Sequence, residues 1–73
     1  MNDRELLEAI EAAARTGAKN LDLSGQDLTA LPNEIGRLNN LASLNLSDNR
    51  LTALPPEIAQ LTNLATLNLR GMT

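Results

Sequence analysis

The sequence predicts an α/β repeat fold, a short solenoid of three parallel strands closed at its N-terminal end by a capping helix, and three observations lead there. The first is a period: steps of 23 residues join Ala18, Leu41 and Leu64, then Leu21, Leu44 and Leu67, then Leu23, Leu46 and Leu69. The same step carries Leu28 to Leu51, Leu31 to Leu54, Pro32 to Pro55, Ile35 to Ile58 and Leu38 to Leu61, so whole units match, loops included. Self-similarity at this spacing marks a stack of units, each burying its apolar face against its neighbours. The second is composition: Val and all aromatic residues are absent from the 73-residue chain, so Leu packing must supply nearly all of the burial energy. The third is an amphipathic stretch, residues 1–17, that precedes the repeat and lies outside its register.

Taken in order, Asn2 to Arg15 reads as a helix, with Leu6, Leu7, Ile10, Ala13 and Ala14 on one face. Asn2 and Glu5 have capping-box spacing, acidic residues fill the first turn, and Arg15 stands near the last turn, four residues after Glu11 as expected of an ion pair. Gly17 can take the left-handed conformation that ends a helix. Residues 18–73 then form the repeats, two complete units and a truncated third. The alternation in Leu44-Asn45-Leu46 and its counterparts has the two-residue period of a strand with its Leu pair inward. Strands are expected at about 20–24, 43–47 and 66–70. Leu31-Pro32 and Leu54-Pro55 end the extended runs. Ile35 with Leu38, and Ile58 with Leu61, then have the spacing of a single helical or 3₁₀ turn on the outer side.

These residues resemble the leucine-rich repeat family, in its 23-residue form with LPxxI on the outer face, over residues 18–69. The resemblance implies a curved right-handed solenoid with its parallel sheet on the concave side. It also implies a buried Asn after each strand whose amide bonds the backbone of adjacent turns as a ladder. Asn49 holds that position, Gln26 replaces it in the first unit and Met72 in the third. The helix followed by Leu21-Asp22-Leu23-Ser24-Gly25 looks like the N-terminal cap of bacterial repeat proteins, including those attached to Ras-like GTPase modules.

Several function classes find no support in the residues. With no His, Cys or Tyr, the usual nucleophile–base pairs, soft metal sites and disulfides are missing, and no enzyme or cofactor is expected. Glu34 and Glu57 recur at one period, which reads as a solvated repeat position before it reads as an acid–base pair. Lys19 follows Gly17 and Ala18, but a phosphate loop would need a Gly where Ala12 stands. A net charge of -3 without a basic stripe argues against nucleic acid. Apolar runs fall far short of the roughly 20 residues that cross a bilayer. The charged N-terminus lacks the apolar core of a secretory signal, so a cytoplasmic location is the default and the sequon Asn45-Leu46-Ser47 reads as chance.

Two surfaces remain as candidates. The concave face would present Asn20, Asp22, Ser24, Ser43, Asn45, Ser47, Thr66, Asn68 and Arg70, which are small and polar apart from Arg70. Three strands cover roughly 250 Å², against about 800 Å² per partner in a stable interface, so these residues read first as solvating the sheet. The other candidate is the C-terminal edge, where Leu64, Leu67, Leu69 and Met72 lack a following unit and strand 66–70 exposes its backbone. Two copies are expected to meet there, pairing strands 66–70 antiparallel into a six-stranded sheet about a two-fold axis. The favoured function is a non-catalytic protein-interaction or structural module, self-associating as a homodimer. The alternative is a regulatory repeat segment of a larger GTPase-linked signalling protein. A truncated or engineered piece of a longer array fits as well, since Leu-Thr-Ala-Leu-Pro recurs unchanged at 28–32 and 51–55.

Overall fold

A computed structural model describes residues 1–71. Its helix α1 (Asp3–Thr16) starts one residue later than the sequence predicts because Asn2 is the cap itself. Asn2 Oδ1 accepts from the Glu5 N–H at 2.8 Å, and Glu5 Oε1 accepts from the Asn2 N–H at 3.0 Å, so two otherwise orphaned donors are satisfied reciprocally. Gly17 closes the helix at φ 63°, its N–H reaching the carbonyls of Ala13 and Ala14. Leu6, Ile10 and Ala13 are buried in the common core, with Ala14 packed at its margin. Glu11 does not pair with Arg15. Packing α1 against the outer turn of the first unit brings Arg37 to within 3.7 Å of Glu11, while Arg15 is exposed. Both partners are largely solvated, so this pair adds little stability.

The strands β1 (Asn20–Asp22), β2 (Ser43–Asn45) and β3 (Thr66–Asn68) form one parallel sheet in that order. Their register is the sequence period: Leu21 lies beside Leu44 and Leu44 beside Leu67. Regular strand covers three residues per unit rather than five, yet inter-unit bonds continue beyond it. The Leu23 and Gly25 N–H groups donate to the Asn45 and Ser47 carbonyls at 2.8 and 2.9 Å. One unit later, Leu46 and Asp48 donate to Asn68 and Arg70 at 2.9 and 2.8 Å. The chain then turns through left-handed residues at one recurring position, Gly25 (φ 63°), Asp48 (φ 59°) and Gly71 (φ 68°). Asp is among the few L-residues that tolerate this region, because its short side chain can bond locally.

Extended Pro32 and Pro55 lead into two 3₁₀ turns on the outer side, η1 (Asn33–Arg37) and η2 (Pro56–Gln60), which pack on each other. The core runs between these turns and the sheet and includes Leu23, Leu28, Ile35, Leu38, Leu41, Leu44, Leu46, Leu51 and Leu61. One polar residue sits among them. Asn49 is 1% exposed and bonds two units at once. Its Oδ1 accepts from the N–H groups of Gln26 and Leu28 at 3.0 Å each, and its Nδ2 donates to the carbonyls of Leu23 and Leu46 at 2.9 Å and Ser47 at 3.3 Å. A buried carboxamide with both donors and its acceptor engaged offsets its own desolvation and fixes the turn geometry of both units. Asn63 adds a second cross-unit tie, donating from Nδ2 to the Asn39 carbonyl at 2.7 Å. Gln26 is not a second rung, since its Nε2 bonds its own unit at Ser24 O.

Candidate interaction surface

On the concave face the register sets Asn20, Ser43 and Thr66 in one row and Asp22, Asn45 and Asn68 in the next. The second row is turned onto its own backbone. Asp22 Oδ1 accepts from the N–H and hydroxyl of Ser24 at 2.9 and 2.6 Å, and Asn45 Oδ1 accepts the same pair from Ser47 at 3.0 and 2.7 Å. Asn68 Oδ1 accepts the Arg70 N–H at 3.0 Å. Each side chain thus closes the turn after its strand, the local bonding for which Asp and Asn are suited. The Ser24 hydroxyl, then its N–H, hold the Asp22 carboxyl below the ordinary aspartate range. The sequence predicts nine residues as one face; the register sets six of them in two rows, and the occupation of the oxygens of Asp22, Asn45 and Asn68 is not among its expectations. The recurrence of Asp or Asn two residues before Ser24, Ser47 and Arg70 was the available signal. Arg70 is exposed and supplies the face with a cation beside β3.

The C-terminal end has a different chemistry. Leu44 and Leu46 are each 0% exposed, whereas their counterparts Leu67 and Leu69 are 37% and 40% exposed, and Leu64 is half-buried where Leu41 is buried. Met72, the remaining edge candidate, lies outside the described residues. Leu51, Thr52, Ala53, Leu54 and Leu69 line a shallow apolar hollow at the same end. Two backbone donors point to this layer as well. The N–H groups of Gln26 and Leu28 are held by Asn49, but those of Asn49 and Leu51, one period later, have no acceptor among the described residues. The end therefore combines exposed apolar side chains with a strand edge that has no neighbour among the described residues.

Among the described residues no group of three acidic, His or Cys side chains could hold a metal ion, and no helix is long and apolar enough to cross a membrane. Glu57 Oε1 is the one buried side-chain polar atom without a partner among the described residues.

Stacked units with a shared leucine core, one parallel sheet and an Asn bonded between turns define a repeat solenoid. Residues 16–71 match the family model described as leucine rich repeat, and the chain belongs to that family. Among solved structures, a leucine-rich repeat protein of Leptospira interrogans is similar, with a TM-score of 0.52 and 36% sequence identity over 85% of this chain and 22% of the other. The chain thus spans less than a quarter of that protein's length. No curated protein matches it. Repeats of this family commonly mediate contacts between proteins.

Proposed function

We propose that the chain is a non-catalytic protein-interaction module that binds through its open C-terminal end, where a second copy joins strands 66–70 antiparallel about a two-fold axis into a six-stranded sheet. The observation that carries this reading is the step in burial from Leu44 and Leu46, both 0% exposed, to Leu67 and Leu69 at 37% and 40%. Leaving one large apolar side chain exposed forgoes roughly 1.5 to 3 kcal/mol of burial, a large share of what a domain this size holds. The edge-strand backbone supplies direction and the leucines supply affinity. The concave face is secondary in this reading, because the turns occupy its carboxamide and carboxylate oxygens. On this account residues 1–17 are the cap of the array and residues 18–73 its repeats. The burial of Leu6, Ile10 and Ala13 supports that division.

Light scattering across a dilution series tests the reading. The mass is expected to rise toward twice the monomer at high micromolar concentration, and Leu69→Lys to abolish the rise while circular dichroism remains that of the folded chain. A strictly monomeric, folded species at the highest concentration refutes self-association. A second reading, in which the chain is a segment of a longer scaffold, is favoured by the similar Leptospira protein, of which the chain covers 22%; a GTPase-linked regulator is one form such a scaffold could take. In that case a following unit covers the same end, and a longer parent reading frame with a phosphate-loop motif decides for it.

A further inference from the structure

We infer that the two copies meet in a single register, with Asn68 on the two-fold axis facing Asn68 of the second copy, so that this one residue positions the dimer. The inference rests on the self-association proposed above and adds its geometry.

The strand edge fixes the parity. The Thr66 N–H donates to Ala42 O at 3.0 Å, and the carbonyls of Asn68 and Arg70 accept from Leu46 and Asp48. Residues 66, 68 and 70 therefore spend their backbone groups on β2. Leu67 and Leu69, in between, direct theirs to the open side, because successive residues of a strand alternate. In an antiparallel pair the residues that exchange two hydrogen bonds must be those with outward backbone groups, so Leu67 and Leu69 can face only Leu67, Leu69 or another odd-numbered position of the second copy.

Three registers satisfy this rule within the edge. With Leu67 opposite its own counterpart, Leu69 faces Ala65. With Leu69 opposite its counterpart, Leu67 faces Gly71. Only with Asn68 opposite Asn68 does each Leu67 face a Leu69, so that all four exposed leucines cover one another in cross-strand pairs. Thr66 then faces Arg70 on either side. The two Arg70 residues lie four positions apart, about 13 Å along the strand, and like-charge repulsion between them is largely screened at a Debye length of about 8 Å.

The far end of the molecule has a different surface, where α1 presents Asp3, Arg4, Glu5, Glu8 and Arg15 to solvent. The antiparallel contact closes at two copies because it is isologous: each β3 edge is spent on the other, and no further copy can add there.

Single cysteines read the register in a chain that has none of its own. Directly opposite, non-hydrogen-bonded residues have Cα atoms about 4.5 Å apart, within the roughly 4.4–6.8 Å that a disulfide spans. With oxidised glutathione as the oxidant, Asn68→Cys is expected to form a covalent dimer. Thr66→Cys and Arg70→Cys should each stay uncross-linked alone and form a mixed dimer when combined, which keeps the test valid if Asn68→Cys loses its turn bond and folds poorly. Cross-linking of Thr66→Cys with Asn68→Cys, or of Asn68→Cys with Arg70→Cys, in preference to that pattern overturns the register. So does an absence of cross-links in a sample that light scattering shows to be dimeric, and self-association then stands. A monomeric sample removes both.

Discussion

Replacing Asn49 with Ala deletes five hydrogen bonds at one stroke, and the structure separates those that water can replace from those that it cannot. The bonds to Gln26 N–H and Ser47 O are partly exposed. Those to Leu28 N–H, Leu23 O and Leu46 O are buried. Each buried backbone group left unsatisfied costs about 1 to 3 kcal/mol, so three together cost about 3 kcal/mol at the least. Stability of about 0.05 to 0.15 kcal/mol per residue gives a 73-residue chain about 4 to 11 kcal/mol in all. Loss of the side chain should therefore lower the midpoint of urea unfolding substantially, or unfold the chain at room temperature. Circular dichroism at fixed concentration is the assay, because the chain has neither Trp nor Tyr to serve as a fluorescent probe. Asn49→Asp should fare no better, since a carboxylate would face the carbonyls of Leu23 and Leu46 that the amide now serves. A loss below about 1 kcal/mol for Asn49→Ala would mean that the inter-unit turns hold without their shared carboxamide, and the reasoning would fail.

The 23-residue period makes the reverse prediction one unit on: position 72 is the counterpart of Asn49, and Met72→Asn should stabilise the chain by about 1 kcal/mol in the same unfolding assay if the third unit is tied as the second is. At the left-handed turn position, Gly25→Ala should cost about 1 kcal/mol from backbone strain alone, because a Cβ there meets nothing within 4 Å. Gly25→Asp should cost less, as Asp48 holds the same conformation at φ 59°. For Asp22, a folded-state pKa below the unfolded value means that its turn bond stabilises the chain above the ordinary aspartate range and that this is lost as pH falls through the lowered value. Ser24→Ala should return the Asp22 titration to the ordinary range, as followed by NMR of the side-chain carboxyl.

The architecture could be read from residues that act within one unit or at one period. Asn2, Glu5 and Gly17 delimit α1 by local capping chemistry, and the leucine positions fix a register that the sheet reproduces, Leu21 beside Leu44 beside Leu67. What escaped depends on how elements meet. The partner of Glu11 is Arg37, twenty-six positions away, because α1 lies against η1, and helical spacing alone points to Arg15. The register sets six of the expected face residues in two rows, yet their chemistry is altered by Asp22, Asn45 and Asn68 folding back onto the turns behind their strands. Asn49 came from family resemblance, and its five bonds to two units required coordinates. The period pairs Leu67 and Leu69 with Leu44 and Leu46 and so allows their burial to be compared, whereas the sharing of one Asn49 carboxamide by Gln26 and Leu28 depends on how two units meet.

Amide hydrogen exchange of Leu67 and Leu69, followed residue by residue as the concentration is raised, bears most directly on the open end as the working surface. Both N–H groups point away from β2 and should exchange fast in dilute solution, then gain protection as copies pair, while the amide of Leu44 in the middle unit is already protected in the most dilute sample. Exchange at Leu67 and Leu69 that is equally fast at every concentration would contradict the account.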